Sequence, residues 1–330
     1  MHPMDLSQIQ NELDLATRLL GSKPDAVLPV IGAGTHRVFR VCTGQRDYAL
    51  KRYAGAPDDA AQAQQREAAA LRFLAAGQLA DCVPQLIASD HTIGAALFEW
   101  VCGSVPARRH GGEMEQLQRV FSCLLSISRG MQAAEFPAAI GACAKPADLV
   151  GQIEHLRQSL RPHEGLARFA RILALFDAFW PSARAALLLP QDPARLVLSP
   201  VDFGFHKALR RADGRVIFFG FTQFGWDDPA RLVADLLWNP ALSLSHPEAA
   251  SLALSAHTVF GACDGGFAQR LSRIWPAIGL CWALRLLNNA RLTRGLRVQR
   301  LSQDNAAGRQ FDRAEICLRL VEESLHEIAA

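Results

Sequence analysis

The sequence is poor in lysine, in net charge, in long apolar runs and in paired cysteines, and each shortage excludes something. Of the 35 basic residues only Lys23, Lys51, Lys145 and Lys207 are lysines. The arginine excess reads as the coding bias of a GC-rich genome, and it makes the place of each lysine informative. The 35 basic and 32 acidic residues leave a net charge of +3, without the basic footprint of a nucleic-acid binder. The longest uncharged stretch, 249–263, contains three polar side chains and a histidine. It falls short of the ~20 apolar residues of a membrane helix, so no membrane partner is expected. The eight cysteines are scattered without a Cys-x-x-Cys pair, and the ten histidines form no His-Glu-x-x-His pattern. Neither a disulfide framework nor a structural zinc site is expected, and the thiols read as reduced core groups. Residues 1–20 are polar and amphipathic, with no basic start followed by an apolar run. No targeting segment is expected there, and the protein reads as cytoplasmic.

What is present is core material. Half of the 330 residues are hydrophobic, enough for one large bilobal domain or two domains. Residues 5–20 carry apolar side chains at helical spacing. The texture then changes to short β-branched or aromatic runs at 27–31, 37–42 and 48–53, separated by turn-formers. A helix is predicted over 58–76, ending at Gly77, and two further strands over 84–89 and 95–101. From Glu113 onward the chain is mostly helical, with helices predicted over 113–133, 146–160, 166–187, 229–238, 247–262, 267–292 and 311–328. One piece, 196–224, interrupts them as strand, loop, strand and strand. The boundary is expected near 103–112, giving an N-terminal lobe of residues 1–102 and a helical lobe of 103–330.

Four constellations carry chemistry. In Ile31-Gly32-Ala33-Gly34 two glycines lie between strands, where backbone N–H groups could approach a phosphate; an ordinary hairpin turn has the same composition. Lys51 lies in an alternating apolar strand just beyond; it is either an edge lysine that snorkels or a buried one, and a buried lysine requires an anion. Glu67 on the following helix is the candidate, with Leu71 and Leu74 one and two turns on. The strand Ala95-Ala96-Leu97-Phe98-Glu99-Trp100-Val101 runs into the expected lobe boundary. The last and most specific is Ser199-Pro200-Val201-Asp202-Phe203-Gly204-Phe205-His206-Lys207, followed by Phe219-Gly220-Phe221-Thr222-Gln223-Phe224-Gly225-Trp226-Asp227-Asp228-Pro229. It places a carboxylate on a loop after an apolar strand, then a short hairpin.

In this order the motifs resemble the aminoglycoside phosphotransferase and choline-kinase-like family of small-molecule kinases. The resemblance runs from the glycine hairpin to the C-terminal helices. It implies an α+β, two-lobed protein-kinase-like fold, with a small five-stranded β lobe and a large helical lobe. It implies ATP as cofactor, with Gly32, Gly34 and Lys51 at the phosphates, Lys51 paired with Glu67, and the backbone of Glu99 and Val101 facing the adenine. Asp202 would be the base that accepts the substrate hydroxyl proton.

Three positions depart from the family pattern. Its asparagine, five positions beyond the base, is Lys207; its metal aspartate is Gly220; the glutamate two later is Thr222. Magnesium is therefore not expected to be held normally, and no metal-ligating residue is assigned. Lys207 either pairs with Asp202, contacts phosphate in place of the metal, or is solvated. Asp227, Asp228 and Asp235 could stand in as metal ligands, but Asp227 or Asp228 reads better as the cap of the helix opening at Pro229, and Asp235 as a brace for the catalytic loop. The favoured expectation is a pseudokinase-like binding or regulatory protein, which could engage a protein partner. The alternative is an active ATP-dependent O-phosphotransferase on a small hydroxylated molecule (a sugar, amino alcohol or aminoglycoside-like compound) with unusual metal use. More distant is another nucleotide-dependent transfer chemistry on the same fold.

Overall fold

The computed structural model describes residues 6–30, 35–106, 111–161, 167–295 and 300–329. The chain divides into two compact units, residues 1–123 with 200–224 and residues 124–199 with 225–330. The glycine turn of Gly32 and Gly34 lies outside the described residues.

In the first unit, helix α1 (Leu6–Leu20) precedes strands β1 (Ala26–Val30), β2 (Arg37–Cys42) and β3 (Tyr48–Arg52). Helix α2 (Pro57–Ala76) follows, then β4 (Leu86–Asp90) and β5 (Ala95–Glu99). The five strands form one antiparallel sheet in the order β1-β2-β3-β5-β4. Alternate residues of these strands point to one face, where Val27, Phe39, Val41, Leu50 and Leu97 bury Leu15 and Ala16 of α1. Pro57 opens α2 at a position where its missing N–H costs nothing. Its buried residues Ala60, Gln64, Glu67, Ala68, Ala70, Leu71 and Leu74 form a single helical stripe. Glu67 is the one acidic residue in that stripe, and such burial demands a partner.

The unit also contains the segment 200–224. A short 3-10 turn, Phe205–Lys207, leads into a hairpin of β7 (Ala208–Arg210) and β8 (Val216–Phe218); β6 (Val197–Ser199) belongs to the second unit. Phe203 and Phe205 pack on Phe218, at ring distances of 4.6 and 6.4 Å. The hairpin is tied into the unit by paired bonds between Ser104 and Arg210 and by the Phe218 N–H to the Cys82 carbonyl at 2.8 Å. The Arg210–Glu113 ion pair at 2.9 Å and the Val216 N–H to Gln116 Oε1 bond connect it to α3 (Gly111–Ile127). The expected third strand of this piece is split. β8 stops at Phe218, Gly220 takes φ 86°, and β9 (Gly225–Asp227) pairs with β6 instead.

The second unit is helical: α4 (Pro146–Ser159), α5 (Ala167–Leu187), α6 (Pro229–Trp238), α7 (His246–Ala256), α8 (Phe267–Gly295) and α9 (Arg300–Ala329). α8 is its axis, with Ala277, Ile278, Cys281, Leu284 and Leu287 buried against neighbouring helices. Gly279 lets Trp238 and Val321 approach, since a Cβ there would lie 2.6 Å from either. Two helix ends differ from the sequence expectation. α3 ends at Ile127 instead of 133, because the Ser128 hydroxyl accepts the Leu198 N–H at 2.7 Å and Gly130 breaks the helix. α9 begins at Arg300 instead of 311, where apolar periodicity starts, since an anchored helix propagates backwards at little cost. Among the described residues no helix is long and apolar enough to cross a membrane. All eight cysteines are free.

Candidate functional site

β3 turns Leu50 into the core under α1, so Lys51 emerges on the opposite face. There its Nζ lies 2.6 Å from Glu67 Oε2. Glu67 gathers two more donors, the Tyr53 hydroxyl at Oε2 and the Phe221 N–H at Oε1, 3.0 Å away. Burial presses the Glu67 carboxyl upward, but the Lys51 charge and these hydrogen bonds outweigh it and hold it below its ordinary value. Burial and the same carboxylate push the Tyr53 hydroxyl well above its ordinary range. The Lys51 ammonium stands 4.6 Å from the Tyr53 ring centroid, and the His36 ring 5.3 Å from it. His36 Nδ1 accepts the Ala54 N–H at 3.1 Å, which leaves the imidazole proton on Nε2. Burial, then the charges of Lys51 and Lys207, lower the His36 pKa.

The second group sits on the loop before the hairpin. Val201 has φ 59°, an outlier for a β-branched residue. Such strain collects at functional loops, and here it immediately precedes Asp202. Asp202 is held by an ammonium and an imidazole. Lys207 Nζ lies 2.6 Å from Oδ2, and His206 Nε2 lies 2.9 Å from Oδ1. Burial works against ionisation of Asp202, but the His206 hydrogen bond and the Lys207 charge drive its carboxyl far below the ordinary range. Of the alternatives for Lys207, the pairing with Asp202 is the one present.

Gly220 completes the group. A Cβ built on it would meet Lys207 Cδ at 3.2 Å and Nζ at 3.7 Å. The lysine stem thus fills the space that an aspartate side chain at 220 would need. Lys207, Gly220 and Thr222 offer a cation no carboxylate, so these residues do not fit a magnesium ion. Among the described residues no cluster of three His, Cys, Asp or Glu side chains is placed to hold a metal.

Glu99 closes β5, with its carboxylate on the Arg211 guanidinium at 2.9 Å and the Gln85 N–H at 3.1 Å. Val101 beyond it is buried. Lys51 and Glu67 are in contact, as are Asp202 and Lys207, and all of these residues belong to the first unit. The acidic residues after the hairpin lie in the second unit and have structural partners. Asp228 is the cap of α6, accepting the Ala230 N–H, and pairs with Arg270 at 2.9 Å. Asp227 accepts the Cys143 and Asp228 N–H groups. Asp235 is buried in α6. Its carboxylate accepts Trp282 Nε1 at 3.1 Å and pairs with Arg285 at 3.0 Å, both on α8. α6 turns that side chain toward α8, a packing choice its sequence does not disclose.

Three members of the site escaped the sequence reading. Tyr53 follows Lys51 by two residues, the spacing of one strand face. His206 follows Asp202 by four. His36 adjoins the glycine turn. Two of these spacings were a usable signal, yet neither names the partner.

The sequence profile of the "Phosphotransferase enzyme family" matches residues 27–253. No curated protein matches the sequence. Solved structures match in fold over nearly the whole chain. One is a Ralstonia eutropha JMP134 protein provisionally described as an aminoglycoside phosphotransferase: 14% identity, TM-score 0.66, covering 95% of this chain and 98% of that one. Another is spectinomycin phosphotransferase in complex with ADP and spectinomycin: 10% identity, TM-score 0.65, covering 96% and 98%. A third is the choline kinase LicA of Streptococcus pneumoniae: 12% identity, TM-score 0.57, covering 95% and 99%. At such identities the structural likeness is one of fold, the α+β fold of the kinase-like phosphotransferases. The matched profile spans more than half of the sequence, and this chain belongs to the phosphotransferase enzyme family.

Proposed function

We propose that this protein has lost ordinary Mg2+-dependent phosphotransfer and acts as a pseudokinase-like binding or regulatory protein. The observation that carries the reading is the 2.6 Å Lys207–Asp202 ion pair, packed against Gly220. Phosphoryl transfer depends on positioning and on neutralising phosphate charge, mostly through metal ions. Removing one preorganised electrostatic element typically lowers rates by about 10²–10³, and here the metal's asparagine and aspartate are replaced together. Asp202, as the base, would have to accept a hydroxyl proton, yet one of its oxygens is paired with the Lys207 ammonium and the other is hydrogen-bonded to the His206 ring. Nucleotide would meet Lys51 at its phosphates and the Glu99 and Val101 backbone at its adenine, as the resemblance implies. The ADP bound to spectinomycin phosphotransferase supports a nucleotide site on this fold.

The intact Lys51–Glu67–Phe221 group favours a second reading, an active ATP-dependent O-phosphotransferase on a small hydroxylated acceptor. Thermal melting separates the two, because stabilisation follows ligand concentration relative to Kd. The proposal expects no rise in Tm when Mg2+ is added to protein with ATP, and no ATP consumption with sugar, amino-alcohol or aminoglycoside acceptors. A Mg2+-dependent rise or turnover would establish the second reading. The paired change Lys207→Asn with Gly220→Asp is expected to restore Mg2+-dependent nucleotide binding.

A further inference from the structure

We propose that Lys51 and Lys207 together form a metal-independent site for an uncomplexed triphosphate, so that magnesium competes with the protein for nucleotide instead of delivering it. This rests on the reading that metal-assisted transfer has been lost, and it goes further by naming the ionic form of the ligand.

Geometry is the first support. Lys51 Nζ lies 2.6 Å from Glu67, whose other oxygen accepts the Phe221 N–H at 3.0 Å. Phe221 is bonded directly to Gly220, and the Lys207 ammonium lies 3.7 Å from the Cβ position of Gly220. The two ammonium groups therefore belong to one continuous set of short contacts inside one compact unit. The Lys51 ammonium and the His36 ring both lie against the Tyr53 ring, 4.6 and 5.3 Å from its centroid.

Charge is the second. The two lysines are matched by the two carboxylates of Glu67 and Asp202, and Gly220 and Thr222 add no negative charge. A divalent cation entering beside Lys207 would meet a fixed like charge and no carboxylate surplus. A bare triphosphate would bring the negative charge that these ammonium groups can share. Once complexed, its charge is halved and some of its oxygens are occupied by the metal.

Access is the third. The Glu67 side chain is only 4% exposed, which fixes Lys51 in place, whereas Lys207 and Asp202 are 34% and 42% exposed. An ammonium has three donors, and the Asp202 bond takes one. Phosphate oxygens can therefore reach Lys207 without any change at Glu67.

The test is calorimetric titration of the full chain with ATP, in EDTA and in excess MgCl2, with inorganic tripolyphosphate as a second probe. Binding in EDTA is expected to be about tenfold or more tighter than with Mg2+, the scale of one charge-assisted contact. Lys207→Gln should lose that advantage and Lys207→Arg should keep it; melting of each apo variant checks that it is folded. Tripolyphosphate should show the same preference for EDTA, because the contacts are to phosphate. No binding of either anion in either buffer overturns the site and leaves the loss of catalysis standing. Tighter binding with Mg2+ overturns the reading beneath it. Metal-free binding that Lys207→Gln leaves unchanged overturns the role of Lys207.

Discussion

Glu67→Ala is the most informative single perturbation, because one carboxylate serves three donors on two distant segments. Removing it strands the Lys51 ammonium, which is 12% exposed, without a counter-charge. It also leaves the Phe221 N–H and the Tyr53 hydroxyl without their acceptor. Breaking a buried pair from one side costs about 3–5 kcal/mol, and a stranded buried amide about 1–3 kcal/mol. The terms overlap where Lys51 recovers some water, so about 4 kcal/mol is expected. A chain of two compact units need not unfold in one step, so a local measurement suits it better than a global one. Hydrogen exchange read by mass spectrometry should accelerate about 10³-fold in peptides covering β3 and residues 216–224. Replacing both partners, Glu67→Leu with Lys51→Met, should restore part of the protection, since a neutral pair strands no charge. Acceleration below about tenfold in the single variant would refute the reasoning. The pH dependence has a defined sign. Glu67 is depressed in the folded state, so its contribution is complete above the ordinary carboxylate range. That contribution is lost as pH falls through the lowered value, and protection should hold from pH 8 to 5 and fall below about pH 4.

Three further outcomes are expected. Gly220→Asp by itself should lower stability by about 1–2 kcal/mol, from the left-handed backbone and the contact with Lys207; adding Lys207→Asn should recover some of it, read by Tm. Arg270→Ala strands the buried carboxylates of Asp228 and Asp264 and should cost about 3–5 kcal/mol by urea denaturation, with Arg270→Lys rescuing little because the forked geometry is lost. In native alkylation at pH 8, exposed Cys102 should react first. Cys143 and Cys317, both pushed up to about 12 by burial, should react last, since the thiolate is the nucleophile; mass spectrometry of timed samples checks the order.

Local repetition made much of this protein readable from its residues. The stripe from Ala60 to Leu74 announces α2 and puts Glu67 in its buried row. Strand alternation turns Lys51 away from Leu50, and the Asp228-Pro229 pair announces the start of α6. The ordered series of Lys51, Glu67, Glu99 and Asp202 was enough to suggest the family. That series apart, these signals share a cause: each depends on residues within a turn or two of one another, where backbone geometry sets the spacing. Long-range pairing lay beyond that reach. The third donor to Glu67 is the N–H of Phe221, 154 positions away, and the partners of Asp235 lie 47 and 50 positions on. Lys207, Gly220 and Asp202 were each visible as departures or candidates. That the Lys207 stem fills the cradle of Gly220 while its ammonium holds Asp202 is a matter of ångströms between a loop and a hairpin. Close packing decides such distances only when the whole unit is assembled.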